Sequence, residues 1–161
     1  MNIRHARISD AQTICSLINF YAERGRMLHR SLESVYDCIR EFLVAEENGD
    51  VLGCVAIDVF WADLAEVKSL AVAQDARGRG VGRRLVEAAA KDAARIGVTR
   101  LFALTYEKEF FEACGFTVVS KDVLCEKVWR ECFVCPKKDQ CDEIAMIRDI
   151  RSLAEGGNPA T

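Results

Sequence analysis

The chain has 161 residues, of which 50% are hydrophobic and 29% are charged, and its formal net charge is -3. This length predicts a single domain with one substantial core, and the small negative charge is atypical of a nucleic-acid-binding protein. The sequence contains no apolar run long enough to span a bilayer, and its first ten residues, MNIRHARISD, lack the apolar region of a signal peptide. We therefore expect a cytoplasmic protein.

The chain begins with a pattern of one strand and one helix. Residues 3–6 are β-prone, and Ser9 and Gln12 then form a capping-box pattern. Apolar side chains recur at helical spacing from there up to Gly25, which indicates a helix with one buried side.

A second helix and a hairpin follow. The helix is predicted to start at Ser31 or Ser34. Residues 42–47 and 51–60 are both β-prone, and Asn48-Gly49-Asp50 between them is typical of a tight hairpin turn.

The segment 66–97, EVKSLAVAQDARGRGVGRRLVEAAAKDAARIG, organises the rest of the chain. A β-prone run leads through a polar turn and the glycine-rich RGRGVG into a helical pattern. Spacings of three and four predict one apolar stripe on that helix, and Gly97 is a predicted C-cap. The predicted stripe consists of Gly82, Leu85, Val86, Ala89, Ala93 and Ile96.

A strand, a glycine-rich loop and a helix in this order are suited to holding phosphate. Backbone N–H groups converge at the positive end of the helix dipole, and arginines can add charge-assisted hydrogen bonds. The arginines around this loop are Arg77, Arg79, Arg83 and Arg84. The alternatives are a basic turn at a helix N-terminus and a short basic patch for nucleic acid.

The remaining chain predicts three shorter elements and a tail. Residues 100–104 form a strand, 107–114 a short helix and 115–119 another strand. Residues 142–150 end the sheet or pack over it, and residues 153–161 form a disordered tail.

The spacing Arg77-x-x-Gly80-x-Gly82 after a strand resembles the coenzyme A loop of the GCN5-related N-acetyltransferases, the GNAT family. The resemblance implies an α/β (α+β) GNAT fold, with a mixed central sheet flanked by helices, in one domain of residues 1–152. It also implies acetyl-CoA as the acetyl donor. The residues expected to hold the coenzyme are Leu70, Ala71, Val72, Arg77, Gly78, Arg79, Gly80, Val81, Gly82 and Arg83.

Four further motifs resemble the acetyltransferase domain of N-acetylglutamate synthases, in the short form without an amino-acid kinase domain. They are GRMLHRS at 25–31, LAEVKSLAV at 64–72, LFALT at 101–105 and FF-x-x-x-GF at 110–116. The resemblance implies acetyl transfer to the α-amino group of L-glutamate, the entry to arginine biosynthesis. It also implies a small-molecule acceptor with no nucleic acid or membrane partner, and a homodimer as the common assembly.

Acetyl transfer needs a base, donors for the developing oxyanion and a group that assists the departing thiolate. Glu66 is the predicted base, directly or through water, and its alternative is an ion pair with Lys68. Backbone N–H groups of residues 70–72 would stabilise the oxyanion. Many relatives place a tyrosine where this sequence has Phe111, so Thr105 is the first candidate acid and Tyr106 the second, each with a helix-start role as its alternative.

A dicarboxylate acceptor requires cations, and arginine can grip a carboxylate with two hydrogen bonds. The resemblance assigns this role to Arg30, with Ser31 beside it and Arg26 as a less specific companion. Lys68 and Ser69 are further predicted acceptor contacts. Near the C-terminus the sequence departs from the longer synthases, and Lys127 and Arg130 are candidates there, with solvated surface charge as the alternative.

The eight cysteines fall into two groups. Four lie scattered in apolar or helical segments and are expected to be reduced: Cys15, Cys38, Cys54 and Cys114. The others, Cys125, Cys132, Cys135 and Cys141, have a spacing that zinc could use. The resemblance includes only the last three, so we expect reduced or redox-sensitive thiols in segment 125–141 and no metal in the reaction.

Two other functions fit the same residues. An acetyltransferase of another small amine or of a protein amine would keep the loop and dispense with Arg30. A non-catalytic acyl-CoA sensor or a regulatory thiol or metal module would keep the loop and need no base, which makes Glu66 the residue that argues for an enzyme.

Overall fold

A computed structural model describes residues 1–124 and 142–155. The described residues form one sheet of seven strands in the order β1-β2-β3-β4-β5-β7-β6. The strands are β1 Asn2–His5, β2 Phe42–Glu47, β3 Asp50–Trp61, β4 Leu64–Val72, β5 Arg100–Thr105, β6 Thr117–Val118 and β7 Ile144–Asp149. The helices are α1 Ala11–Ala22, α2 Leu32–Asp37, α3 Val81–Arg95, α4 Lys108–Ala113 and α5 Arg151–Glu155.

The predicted hairpin and the start of the second helix are confirmed. Asn48 and Gly49 join β2 to β3 with φ values of 54° and 85°, the conformation that a two-residue hairpin turn requires. Ser31 is the N-cap of α2, and its Oγ accepts a hydrogen bond from the Ser34 N–H at 3.0 Å.

The predicted capping box at the first helix is wrong. A 3-10 turn, Ile8–Asp10, precedes α1. The Asp10 carboxylate, rather than Ser9, accepts the Arg7 N–H at 2.7 Å. Asp10 also binds the Arg4 guanidinium at 2.8 Å. This ion pair, which joins β1 to the start of α1, cannot be read from local helix patterns.

The helices cover the sheet on both faces. On one face α1 and α2 pack on the sheet around Ile14, Ile18 and Phe42, which are almost fully buried. On the other face α3 packs around Leu85 and Val86, which are both 0% exposed. The sheet is therefore the middle layer of three, as the fold class predicted.

The apolar stripe of α3 is confirmed except at its end. Leu85, Val86, Ala89 and Ala93 are fully buried, whereas Ile96 is 62% exposed. Ile96 lies just beyond the last helical residue, where the backbone already turns towards Gly97 with its φ of 102°. Helical spacing therefore does not predict whether the Ile96 side chain is buried.

The C-terminal strand lies inside the sheet. β7 pairs with β5 on one side and with the two-residue β6 on the other, antiparallel to both. Leu153, expected to open a disordered tail, lies in α5 and packs against the α3 core. Within the described residues, the helices are all too short or too polar to cross a bilayer.

β4 and β5 form the parallel pair of the sheet, and they separate early. They pair at Leu64, Ala65 and Glu66, and Glu66 lies opposite Phe102. On its other side β4 stays paired with β3 but contains a register shift near Ser69, whose φ is 54°. A left-handed residue other than glycine inside a strand marks a β-bulge. β4 therefore bends away from β5 beyond Glu66 and opens a cleft.

Removal of a buried side chain should test the packing of α3. Leu85→Ala should lower the free energy of unfolding by about 2–5 kcal/mol, because it leaves a cavity under the helix. Ile96→Ala, at the exposed end of the predicted stripe, should change it by less than about 0.5 kcal/mol. Denaturant unfolding followed by circular dichroism measures both variants, and equal losses would contradict the described burial.

Replacement of Ser31 should test its role as the N-cap of α2. Ser31→Ala should lower the free energy of unfolding by about 1 kcal/mol, because the Ser34 N–H loses its acceptor. Ser31→Asn preserves a capping oxygen and serves as the matched control, with a change of a few tenths of a kcal/mol at most. Thermal unfolding of the two variants makes the comparison, and identical losses would show that the cap does not stabilise α2.

Candidate active site

A cleft of about 1480 Å³ lies where β4 and β5 separate. Its walls come from α1, the connection between α1 and α2, the C-terminal half of β4, the start of α3 and the end of β5. Most of the residues predicted from the sequence line it: Arg30, Glu66, Lys68, Ser69, Leu70, Ala71, Val72, Arg77, Gly78, Gly80, Val81, Gly82, Arg83, Thr105 and Tyr106. Residues far apart in sequence thus meet in one place.

The glycines of the loop between β4 and α3 serve two purposes. Gly78 and Gly80 have φ values of 80° and 78°, which side chains other than glycine rarely adopt. Gly82 has an ordinary conformation, but a Cβ there would lie 3.3 Å from the Phe110 ring. The first two glycines therefore shape the loop, and the third lets α3 approach α4 at the wall of the cleft.

Two of the four loop arginines face the cleft. Arg77 and Arg83 line it, and the Arg77 guanidinium lies 6.0 Å from the centre of the Tyr21 ring. Arg79 instead binds Glu47 on the outside, and Arg84 donates to the Met1 carbonyl at 3.3 Å. Within the described residues, Arg77 and Arg83 are not ion-paired.

The electrostatics of this end of α3 favour an anion. The first turn of α3 contains no acidic residue, although acidic side chains usually offset the positive end of a helix. The cleft at this end is instead lined by two cationic side chains and by backbone of the loop. This combination is suited to a phosphate group.

Main-chain groups of β4 face the opening. The Tyr21 hydroxyl donates a hydrogen bond to the Val72 carbonyl, whereas the next residue, Ala73, donates its N–H to Leu52 at the other side of the strand. Because the N–H and C=O of one strand residue point the same way, the Val72 N–H is directed to the cleft side.

Glu66 lies in the cleft wall at the point where the strands separate. It is 4% exposed and stands two residues from Lys68 on the same strand. The Lys68 ammonium binds the buried Asp58 carboxylate of β3 at 2.7 Å. Asp58 is therefore one carboxylate partner of Lys68, and the sequence did not indicate it.

The two candidate acids follow each other at the end of β5. Thr105 is 8% exposed, and its Oγ1 accepts a hydrogen bond from the Glu107 N–H at 2.8 Å. A hydroxyl that accepts one bond still has its proton to donate. The Tyr106 ring lies 5.4 Å below the Arg26 guanidinium, and Arg26 also binds Glu107 at the mouth of the cleft.

The Arg30 guanidinium is held by neutral groups. It donates to the Ser34 hydroxyl at 3.2 Å and to the Ser69 hydroxyl at 3.1 Å, and it lies 5.2 Å from the centre of the Phe42 ring. In the described parts of the chain, no carboxylate pairs with Arg30. A cation with neutral partners in a cleft is able to receive a carboxylate.

Some predicted site residues lie elsewhere. Arg79 and Ser31 do not line the cleft, since one pairs with Glu47 and the other caps α2. Ser34, one turn further along α2, lines it instead. Lys127, Arg130 and the cluster Cys125, Cys132, Cys135 and Cys141 lie outside the described residues.

Three residues that support the site were not predicted from the sequence: Asn19, Tyr21 and Asp58. Each acts through a contact with a residue outside its own helix or strand, such as the hydrogen bond from Tyr21 to Val72. Helical spacing counted Tyr21 as a core residue. A polar tip on an otherwise apolar helix side was the one local indication of its second role.

Two of the described cysteines, Cys54 and Cys114, are unsuited to forming an acetyl-enzyme. Cys54 is fully buried next to the bulge of β4, and burial raises the pKa of its thiol to about 12. Burial also raises the pKa of the Cys114 thiol. The nucleophilic form of cysteine is the thiolate, so both side chains stay protonated near neutral pH. Within residues 1–124 and 142–155, no His, Cys, Asp or Glu side chains group as metal ligands.

Comparison with known proteins shows the family. Residues 39–118 match the acetyltransferase (GNAT) domain. An uncharacterized N-acetyltransferase of Chlorobaculum tepidum is 42% identical over 148 residues, 92% of this chain and 96% of that protein. An amino-acid acetyltransferase of Mycobacterium tuberculosis is 36% identical over 132 residues, 80% of this chain and 75% of that protein.

A solved structure has the same fold. N-acetylglutamate synthase of Neisseria gonorrhoeae, complexed with coenzyme A and N-acetyl-glutamate, superposes with a TM-score of 0.82 and 33% identity. The match covers 92% of this chain and 35% of the gonococcal one. The loop, the separated strands and these relatives together show that the chain belongs to the GNAT family of N-acetyltransferases.

Proposed function

We propose that this enzyme transfers the acetyl group of acetyl-CoA to the α-amino group of L-glutamate. The observation that carries this proposal is Arg30, a cleft arginine with neutral partners, on the same cleft as Glu66 and the glycine loop. The relatives named amino-acid acetyltransferase support it. Such a reaction would serve arginine biosynthesis in the cytoplasm.

The coenzyme end of the cleft is proposed to lie at the start of α3. The pyrophosphate would receive hydrogen bonds from backbone N–H groups of residues 78–83, with Arg77 and Arg83 adding charge. The chain of the coenzyme would run along the open side of β4, where the Val72 N–H is directed. The gonococcal relative with bound coenzyme A supports this assignment.

The acceptor end is proposed to lie around Arg30. A glutamate side-chain carboxylate would bind the guanidinium, which Ser34 and Ser69 hold from two sides. A planar guanidinium can give two parallel hydrogen bonds to a carboxylate. Ser31 is not assigned to this contact, because it does not line the cleft and its Oγ caps α2.

The chemistry follows from direct attack by the amine. Glu66 removes a proton from the ammonium group, directly or through one water, and the free amine attacks the thioester carbonyl. The N–H groups of β4 stabilise the charge that develops on the carbonyl oxygen. The carbon–sulfur bond then breaks, and coenzyme A leaves as a thiol. Thr105 is the preferred donor of the proton to the sulfur, and it regains a proton from the former amine nitrogen, which loses its extra proton as the amide forms.

The acceptor assignment can be tested with an amino-acid panel. Thiol release from acetyl-CoA should be fastest with glutamate and slower with glutamine, which has the same shape without the charge. Arg30→Ala should raise the KM for glutamate about 10- to 100-fold, because a charged hydrogen-bond partner is lost. The KM for acetyl-CoA should stay within about twofold.

Arg95→Ala is the matched control, since Arg95 is 70% exposed and pairs with Asp92 on α3. This variant should behave like the parent enzyme. If uncharged amines were acetylated as fast as glutamate, and if Arg30→Ala left these rates unchanged, glutamate would be refuted as the acceptor. The assignments of the fold and of the coenzyme would still stand. Coenzyme binding without turnover on any amine would favour the sensor.

Replacement of the proposed base should reduce turnover without loss of coenzyme binding. Glu66→Gln keeps the shape of the side chain and removes its ability to accept a proton, so kcat should fall about 10²- to 10⁴-fold. Glu109→Gln, the same change on exposed α4, is the control. Steady-state rates and calorimetric titration with coenzyme A measure the two effects, and a kcat within about threefold of the parent would rule out Glu66 as the base.

A further inference from the structure

The main chain of Arg30 is held by the side chain of one residue on α1. Asn19 Oδ1 accepts the Arg30 N–H at 2.9 Å, and Asn19 Nδ2 donates to the Arg30 carbonyl at 2.9 Å. The Cys15 thiol, one helical turn earlier, donates to the same carbonyl at 3.5 Å. The Asn19 amide thus binds both polar backbone groups of Arg30, as a neighbouring strand would in a sheet.

This contact matters because Arg30 lies in the irregular connection between α1 and α2. A residue there has no helix or ladder to fix its backbone. Its N–H and C=O are satisfied by Asn19 across eleven positions of sequence. The amide therefore determines where the Arg30 side chain begins.

The far end of Arg30 is anchored independently. The guanidinium reaches Ser34 on α2 and Ser69 on β4, and it lies beside the Phe42 ring. A side chain fixed at both ends presents its remaining N–H groups in one direction. Such preorganisation strengthens the binding of a carboxylate, because less freedom is lost when the ligand arrives.

We propose that Asn19 is a positioning residue for the acceptor, which sets the affinity for the acceptor carboxylate through Arg30 without touching the acceptor itself. This inference rests on the proposed function, because it takes Arg30 as the carboxylate contact. It assigns part of acceptor recognition to α1. Tyr21, two residues after Asn19 on the same helix, instead contacts β4 through the Val72 carbonyl.

A double-mutant cycle tests the inference. Asn19→Leu should raise the KM for glutamate about tenfold, since two hydrogen bonds to Arg30 are lost, and should leave the KM for acetyl-CoA within about twofold. In the Arg30→Ala background the same change should alter the glutamate KM by less than about twofold, because two residues that act through one contact are not additive. Gln12→Leu, an amide-to-leucine change at an exposed position of α1, is the matched control and should leave all constants unchanged.

The outcomes are distinguishable. A full tenfold effect of Asn19→Leu in the Arg30→Ala background, or equal rises in both KM values, would refute the positioning role while the proposed function stands. A glutamate KM indifferent to Arg30→Ala would refute the proposed acceptor and this inference with it. If Asn19→Leu fails to fold, Asn19→Asp replaces it in the test. Asp is nearly isosteric with Asn and keeps the oxygen that accepts the Arg30 N–H, but it lacks the donor. This variant should therefore raise the KM for glutamate and leave the KM for acetyl-CoA unchanged.

Discussion

The separation of β4 from β5 beyond Glu66 is the constraint on which the site depends. Parallel strands that part leave main-chain donors and acceptors without ladder partners, and such groups are costly unless something else binds them. α1 meets part of this need, because the Tyr21 hydroxyl binds the Val72 carbonyl. The bulge at Ser69 keeps β4 paired with β3 while it bends. The gap between β4 and β5 is therefore a cleft in which β4, held by β3 and Tyr21, forms one wall.

The arginines around this cleft differ in their partners more than in their positions. Arg26 and Arg79 bind carboxylates at the rim and on the outside. Arg30 contacts hydroxyls and a ring, and Arg77 contacts a ring. An arginine that is already paired with a carboxylate binds an anionic ligand less strongly. Arg26 and Arg79 therefore have structural roles, whereas Arg30 and Arg77 are available to a substrate.

Local chemistry explains which parts of the fold and of the site were predictable. The Asn48-Gly49 turn and the start of α2 at Ser31, one of two predicted positions, depend on residues adjacent in sequence, and both are confirmed. The direction of Arg79 and the exposure of Ile96 depend on distant partners and on where a helix stops, which spacing does not encode. The supporting residues were missed for the same reason, because their side chains contact residues outside their own helix or strand.

The place of β7 inside the sheet has a consequence for how the protein is made. β5, which carries Thr105 at the edge of the cleft, borders a partner that the ribosome delivers only after residue 144. Until then β5 is an open edge, and the two-residue β6 has no neighbour within the described sheet. Open edges can pair with other chains. The β7 side of β5 therefore stays open to such pairing until residues 144–149 have been synthesised.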